Sequence, residues 1–168
     1  MIRESLEKMI EVLSASGGPT LSTTYAFVLK NGFEFQNDLF PDEYKQGPRR
    51  DCFNNARGLA LHTDLVYVEG FACLPDLSFP VHHAWCVKCG TRNVVDPTPS
   101  ELTYYLGVPF TRKTILYHDL DYGGCASLLD DPYSSDPFEQ MTKEALKEFV
   151  EYWDQLDAND QEKIQADE

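Results

Sequence analysis

The 168-residue sequence lacks a long hydrophobic run and is poor in positive charge. No stretch approaches the roughly 18 consecutive apolar residues of a membrane-spanning helix, so the sequence predicts none. The chain contains 14 Lys and Arg residues and 28 Asp and Glu residues, which gives a formal net charge of −14. A field of that sign repels phosphate groups, so we expect neither nucleic acid nor an anionic membrane as a partner.

The N-terminal residues 1–8 carry acidic side chains where a secretory signal peptide has an apolar segment. We therefore expect a cytoplasmic protein, with export by a signal-independent route left open. Cysteine is sparse and odd in number, at positions 52, 73, 86, 89 and 125. An odd count without a signal peptide predicts free thiols rather than a disulfide framework.

Length and composition predict one domain over residues 1–156, with enough apolar residues for a core. Residues 157–168 are acidic and have few large apolar side chains. We expect this tail to be flexible or the frayed end of a helix.

The N-terminal third begins with a predicted helix over residues 2–13. Its apolar residues recur at helical spacing: Ile2, Leu6, Met9, Ile10 and Leu13. Residues 25–35 are rich in strand-forming residues around Asn31-Gly32, which favours a hairpin, although a helix over 20–30 is an alternative. The polar stretch 37–48 is predicted to be a loop.

The central part predicts a helix that Asp51 caps and a meander of strands behind it. The expected elements are a helix at 52–61 and strands at 65–72, 82–88 and 92–95. The C-terminal part predicts a short helix at 101–106, a rigid loop at 106–110, a strand at 113–118 and a final helix from Asp136 to about 156.

Cys52 is the candidate nucleophile. A thiol attacks as the thiolate, and the N-terminus of a helix lowers a thiol pKa through its unpaired N–H groups and its dipole. Arg49 and Arg50 add positive charge nearby, whereas Asp51 opposes it. The alternative is a buried apolar cysteine beside Phe53, as most free cysteines are.

His83 and Asp96 are the candidate base and its orienting carboxylate. Side chains alternate along a strand, so His83 shares a face with Trp85, whereas His82 points to the other face. Asp96 follows a strand expected to pair with the histidine strand, where its carboxylate can fix the imidazole tautomer. Asn93 is an alternative in that role, and Asp-Pro-Thr is also an ordinary turn.

These stretches together resemble the core of the transglutaminase-like and papain-like cysteine enzymes. The similarity covers about residues 46–110, and its most specific part is the His83-Ala84-Trp85 strand followed by Val95-Asp96-Pro97-Thr98. It implies an α+β fold in which the cysteine helix packs on an antiparallel sheet between N- and C-terminal flanking helices. It also implies a Cys-His-Asp triad.

The resemblance further implies an oxyanion-hole glutamine at Gln46, which acts with the backbone N–H of Cys52. The sequence departs from papain at Phe53 and Asn54, which replace the small-residue and tryptophan pattern around that cysteine. The short distance in sequence between Cys52 and His83 favours the transglutaminase-like arrangement.

Three further residues, Trp85, Glu69 and Gly70, are expected to line the substrate site, although core packing explains an aromatic residue equally well. Cys86 and Cys89 form a CxxC pair. A zinc site needs a second pair of ligands, so two cysteines on opposite faces of a strand are the favoured interpretation and no metal is expected.

The resulting hypothesis is thiol-dependent acyl transfer on amide bonds of a protein or peptide, without a cofactor. Water as the acceptor makes the protein a peptidase, amidase or deamidase, and an amine makes it a transglutaminase. The alternative is an inactive fold of the same type that acts as a protein-binding module. A third, weaker interpretation is a zinc-bound structural protein that uses Cys86 and Cys89.

Overall fold

The computed structural model describes residues 2–15, 19–75, 79–88, 91–116 and 127–129. The fold is α+β, as expected. Its elements in chain order are α1 (Ile2–Ala15), α2 (Pro19–Asn31), β1 (Phe33–Gln36), α3 (Cys52–His62), β2 (Val66–Cys73), β3 (Val81–Val87), β4 (Val94–Val95) and β5 (Tyr104–Phe110).

The five strands form one antiparallel sheet in the order β1-β5-β2-β3-β4. The sheet is curled, because its two edge strands approach each other at Gln36 and Asn93. There the backbone N–H of Gln36 donates to the carbonyl of Arg92 at 2.8 Å. The curl gives the sheet an inner and an outer face, and alternation along β3 sends His83 and His82 to different faces.

The inner face is filled by side chains of the sheet itself. Its buried cluster consists of Phe35, Val68, Ala72, Trp85, Val87, Val94 and Tyr105. Trp85 is fully buried, and its ring occupies the space that a side chain at Gly107 would need, since a Cβ there would lie 2.5 Å from the ring. The inner layer thus depends on a glycine opposite the tryptophan.

The outer face is covered by the helices. Ile2 and Leu6 of α1 are buried in the main core, and Met9, Ile10 and Leu13 pack against it, which confirms the predicted stripe. Tyr25 of α2 stacks on Phe71 of β2 with a ring-centroid distance of 4.2 Å. On α3, the buried residues are Ala56, Arg57 and Ala60.

The predicted hairpin over residues 25–35 is wrong, and the alternative helix is correct. Gly32 donates its backbone N–H to the carbonyl of Val28 at 2.7 Å, so Asn31-Gly32 closes α2 instead of turning a hairpin. Arg3 then joins the end of α2 to β1. Its guanidinium donates to the carbonyls of Leu29 and Gly32 and pairs with Glu34 at 2.8 Å.

The predicted helix at 101–106 and loop at 106–110 are also wrong, because β5 spans both stretches and pairs with β1 and β2. The strand predicted from residue 113 is helical over 112–116. Thr111 explains the change, since its hydroxyl accepts the backbone N–H of Thr114 at 3.1 Å and so caps this turn.

The predicted α3, β2 and β3 are confirmed within about one residue at each end, and β4 is shorter than the predicted strand at 92–95. The predictions for residues 117–118, 136–156 and 157–168 lie outside the described residues. None of the described helices is long and apolar enough to cross a membrane.

Candidate active site

Cys52 is the first residue of α3, and its thiol is partly exposed. The predicted capping by the Asp51 side chain is wrong: that carboxylate accepts a hydrogen bond from the Asn54 amide at 2.7 Å and none from the helix backbone. The backbone N–H of Phe53 is one of the groups that lower the pKa of the Cys52 thiol. Arg50 holds a left-handed φ of 64° two residues before the helix, where the chain turns into it.

Hydrogen bonds join the loop before Cys52 to the loop after Asp96. Gly47 donates its N–H to the carbonyl of Pro97 at 2.8 Å. The Asn55 amide, one turn into α3, donates to the carbonyl of Pro48 and to the Thr98 hydroxyl, both at 2.8 Å. A Cβ at Gly47 would lie 2.0 Å from the Asn55 side chain, so this junction needs a glycine.

His83 lies on β3 where the edge of the strand is open. β4 pairs with β3 only at Cys86 and Val87, so the backbone of Ala84 is left to donate its N–H to the Cys52 sulfur. The His83 imidazole is 5% exposed, and its Nε2 lies 2.7 Å from Asp96 Oδ2. Its other nitrogen, Nδ1, is therefore the one available to the Cys52 thiol, with which His83 forms a hydrogen bond.

The Asp96 carboxylate accepts hydrogen bonds from three groups in addition to His83. Its carboxylate accepts the Thr98 N–H at 2.9 Å, the Ser100 hydroxyl at 3.1 Å and the Tyr105 hydroxyl at 3.3 Å. Sequence analysis missed Ser100 and Tyr105, whereas the Asp-Pro-Thr turn was a visible signal for Thr98. These donors fix the carboxylate in the orientation that faces His83.

The site favours a thiolate paired with an imidazolium. Burial acts to raise the pKa of Cys52, but the hydrogen bond and charge of His83 and the N–H groups of Ala84 and Phe53 outweigh it and lower that pKa. Burial acts to lower the pKa of His83, but Asp96 and Cys52 raise it to about 9. The structure thus brings together Cys52, His83 and Asp96 and polarises the thiol.

Gln46 is exposed on the loop that Gly47 ties to Pro97. It borders a cavity of about 270 Å³ beside Asp96, whose wall also includes Glu101 and Tyr105. The described residues provide no hydrogen-bond partner for its side chain, so its role as an oxyanion donor stays a prediction.

The three residues expected to line a substrate site, Trp85, Glu69 and Gly70, are all buried. Trp85 lies under His83, with the rings 6.2 Å apart and nearly parallel. Gly70 pairs with both His83 and Gly107, and a Cβ there would lie 2.4 Å from the Cα of Gly107. Their burial places them in the packing around the histidine strand, and their role in lining a substrate site stays a prediction.

Glu69 forms a second polar cluster on the outer face, which sequence analysis did not anticipate. Its fully buried carboxylate accepts hydrogen bonds from the Tyr67 hydroxyl and from the Leu128 N–H, both at 2.8 Å, and from the Leu129 N–H at 3.0 Å. The Ser127 hydroxyl also donates to it. His82 Nε2 lies 3.1 Å from its Oε1.

Cys86 is a core residue. Its thiol is fully buried and donates to the carbonyl of Ala56 at 3.2 Å, and burial raises its pKa. Its CxxC partner Cys89 lies outside the described residues. Among the described residues, no group of three or more His, Cys, Asp and Glu side chains is arranged to hold a metal ion.

Comparison of the chain with models of known protein families gives no match, and comparisons with curated proteins and with solved structures give none either.

Proposed function

We propose that the protein is a cysteine enzyme that transfers an acyl group from an amide bond through a thioester on Cys52. One observation carries the proposal: His83 Nε2 lies 2.7 Å from Asp96, and the interaction of the His83 imidazole with Cys52 lowers the thiol pKa and raises the imidazole pKa. A buried cysteine of the ordinary kind, such as Cys86, has a raised pKa instead.

In the first half-reaction the Cys52 thiolate attacks the carbonyl carbon of the amide and forms a tetrahedral intermediate. His83, protonated on Nδ1, donates that proton to the leaving nitrogen as the C–N bond breaks. The products are a free amine and a thioester between the acyl group and Cys52. Asp96 keeps Nε2 protonated and so holds the ring in the reactive tautomer.

The oxyanion of the intermediate needs hydrogen-bond donors. The backbone N–H of Cys52 is one candidate, since the first N–H groups of a helix have no partner within it. The second is the Gln46 amide, which would have to approach from its position beside Asp96. Removal of such a donor typically slows acylation by about 10².

In the second half-reaction an acceptor attacks the thioester. Neutral His83 removes a proton from the acceptor, the C–S bond breaks, and the Cys52 thiolate is released beside the protonated imidazole, which restores the starting pair. Water gives a carboxylic acid, as in a peptidase or deamidase, and a primary amine gives a new amide, as in a transglutaminase. The cavity beside Asp96 carries the carboxylates of Asp38 and Glu101, which favours substrates that are basic or neutral there.

The fold agrees with this assignment at a coarse level. A helix that begins with the cysteine packs on an antiparallel sheet whose next strands supply the histidine and the carboxylate. We take this order as support for a papain-like or transglutaminase-like core, acting on a protein or peptide.

The test is detection of the thioester. Wild-type protein is incubated with a panel of peptides that contain glutamine, asparagine or basic residues, and acid-quenched samples are weighed by mass spectrometry. We expect an acyl adduct on Cys52 that hydroxylamine removes, no adduct in Cys52→Ser, and a much slower one in His83→Ala. Equal labelling of wild type and His83→Ala would contradict the mechanism.

A further inference from the structure

Among the described residues, Glu69 is a fully buried ionisable group that the mechanism above does not use. The Glu69 carboxylate is 0% exposed, and burial alone would raise its pKa. The charge and proximity of His82, whose Nε2 lies 3.1 Å from Oε1, and the donors Ser127 and Leu128 reverse that effect and lower the pKa of Glu69. A buried anion is costly unless it is paired, so its presence on the sheet that carries the active site calls for a reason.

His82 connects this anion to the catalytic helix. While its Nε2 faces Glu69, its ring lies edge-on to Phe53 at 5.0 Å and stacks on Phe71 at 5.2 Å. Phe53 belongs to α3 and Phe71 to β2. The His82 imidazole therefore lies between the aromatic ring of Phe53 on α3 and that of Phe71 on β2, with the Glu69 carboxylate beside its Nε2.

Phe53 in turn fixes the nucleophile. It follows Cys52 directly on α3, and its backbone N–H is one of the groups that lower the pKa of the Cys52 thiol. A displacement of the Phe53 backbone after loss of its ring contact would shift both that N–H group and the attachment point of Cys52. His82 also adjoins His83 on β3, so its ring lies on the opposite face of the strand from the imidazole that faces Cys52.

We propose that His82 and Glu69 are positioning residues for Cys52, acting through the ring contact of His82 with Phe53. Because the same carboxylate holds the backbone of Leu128 and Leu129, the position of the nucleophile is coupled to the docking of residues 127–129 on the outer face. This inference rests on the proposed function and adds to it two residues that do not touch the reacting atoms.

The experiment compares iodoacetamide alkylation of Cys52 across pH 5–10 in wild type, His82→Ala and His82→Phe. We expect His82→Ala to lower the rate at pH 6.5 about fivefold and to move the midpoint of the profile upward, because a displaced thiol loses part of its stabilisation. His82→Phe keeps a ring beside Phe53 and should recover part of that loss. Both variants leave Glu69 with its Tyr67, Leu128 and Leu129 donors, so we expect them to fold at reduced stability, which circular dichroism and urea unfolding check.

Tyr67→Phe is the matched control. It removes one hydrogen bond to Glu69 but leaves the His82 ring in place, so its alkylation profile should stay within twofold of wild type at every pH. A folded His82→Ala protein with the wild-type profile would overturn the proposal, as would a His82→Phe protein no better than His82→Ala. His83→Ala, measured in parallel, separates the two hypotheses: if it changes the profile and His82→Ala does not, the proposed function stands and only the positioning role fails.

Discussion

Two carboxylate–histidine pairs lie on opposite faces of β3, and neighbouring residues supply their imidazoles. In the inner pair, His83 and Asp96 are 2.7 Å apart and the carboxylate side chain is 11% exposed. In the outer pair, His82 and Glu69 are 3.1 Å apart and the carboxylate is fully buried. The same two residue types thus occur in two environments along one strand.

The two pairs differ in the groups that surround the imidazole and in the groups that bind the carboxylate. The inner imidazole has a thiol on its free side, and its carboxylate is bound by side chains and a turn of one loop. The outer imidazole has aromatic rings on both sides, and its carboxylate binds backbone N–H groups far along the chain. Under the proposed function the inner pair transfers protons, whereas the contacts of the outer pair connect distant parts of the chain.

Glu69→Gln should produce the largest loss of stability. Every described partner of the carboxylate is a hydrogen-bond donor, so an amide NH2 would face another donor inside the core. Breaking a buried charged pair costs about 3–5 kcal/mol in comparable cases. Urea unfolding at pH 7 measures the effect, and a loss below about 1 kcal/mol, the value for an ordinary hydrogen bond, would contradict the burial argument.

Asp96→Asn should produce a smaller loss that depends on pH. The pKa of His83 is raised from 6.5 to about 9 in the folded protein, so its protonation stabilises the fold fully below pH 6.5. That contribution disappears as pH rises through about 9. Replacing Asp96 removes part of the contribution, so the variant should be less stable than wild type at pH 6.

The stability curves of the two proteins should therefore converge above pH 9. Urea unfolding of wild type and Asp96→Asn at pH 6, 8 and 10 measures the difference. Ser100→Ala is the matched control, because it removes one donor to Asp96 and keeps the charge. A difference between wild type and Asp96→Asn that is constant from pH 6 to pH 10 would show that the carboxylate does not raise the His83 pKa.

Tyr105→Phe should have the smallest effect of the three. The single Tyr105 hydroxyl proton is shared between Asp96 at 3.3 Å and the Leu102 carbonyl at 3.2 Å, while its ring packs against Trp85 at 5.1 Å. Phenylalanine keeps the ring, so we expect a loss of about 1 kcal/mol in unfolding free energy. Acylation by a responsive peptide should slow only a few-fold, whereas a complete loss would give Tyr105 a direct chemical role.

Sequence patterns predicted the parts of this molecule that local chemistry determines. Alternation along β3 correctly separated His83 from His82. The helix starting at Cys52 was predicted from Asp51 as its N-cap, and the helix is present although the Asp51 side chain makes no capping hydrogen bond. The Asn31-Gly32 pair misled because glycine ends helices as readily as it turns hairpins. The stretch 106–110 misled because Gly107 and Pro109 are typical loop residues. Both nevertheless lie in β5 and are paired with residues of β2.

Contacts between distant parts of the chain could not be predicted from the sequence. Glu69 appeared as a residue of the site, but its partners at 127–129 lie about 60 positions away. The curl that brings Gln36 to Asn93 and buries Trp85 depends on the whole sheet. The structure brings Cys52, His83 and Asp96 together, and their catalytic roles stay predictions.

The central claim is that Cys52 is a nucleophile activated by His83. The most direct test is the rate of iodoacetamide alkylation across pH 5–10, read for each cysteine by mass spectrometry in wild type and His83→Ala. Buried Cys73, whose pKa is raised, is the internal reference.

We expect wild-type Cys52 to react well below the free-thiol pKa of about 8.5, and His83→Ala to lose that advantage, with a rate at pH 6 roughly 100-fold lower. A Cys52 that is inert, or that reacts identically in both proteins, would contradict the account and point instead to an inactive fold that binds a partner.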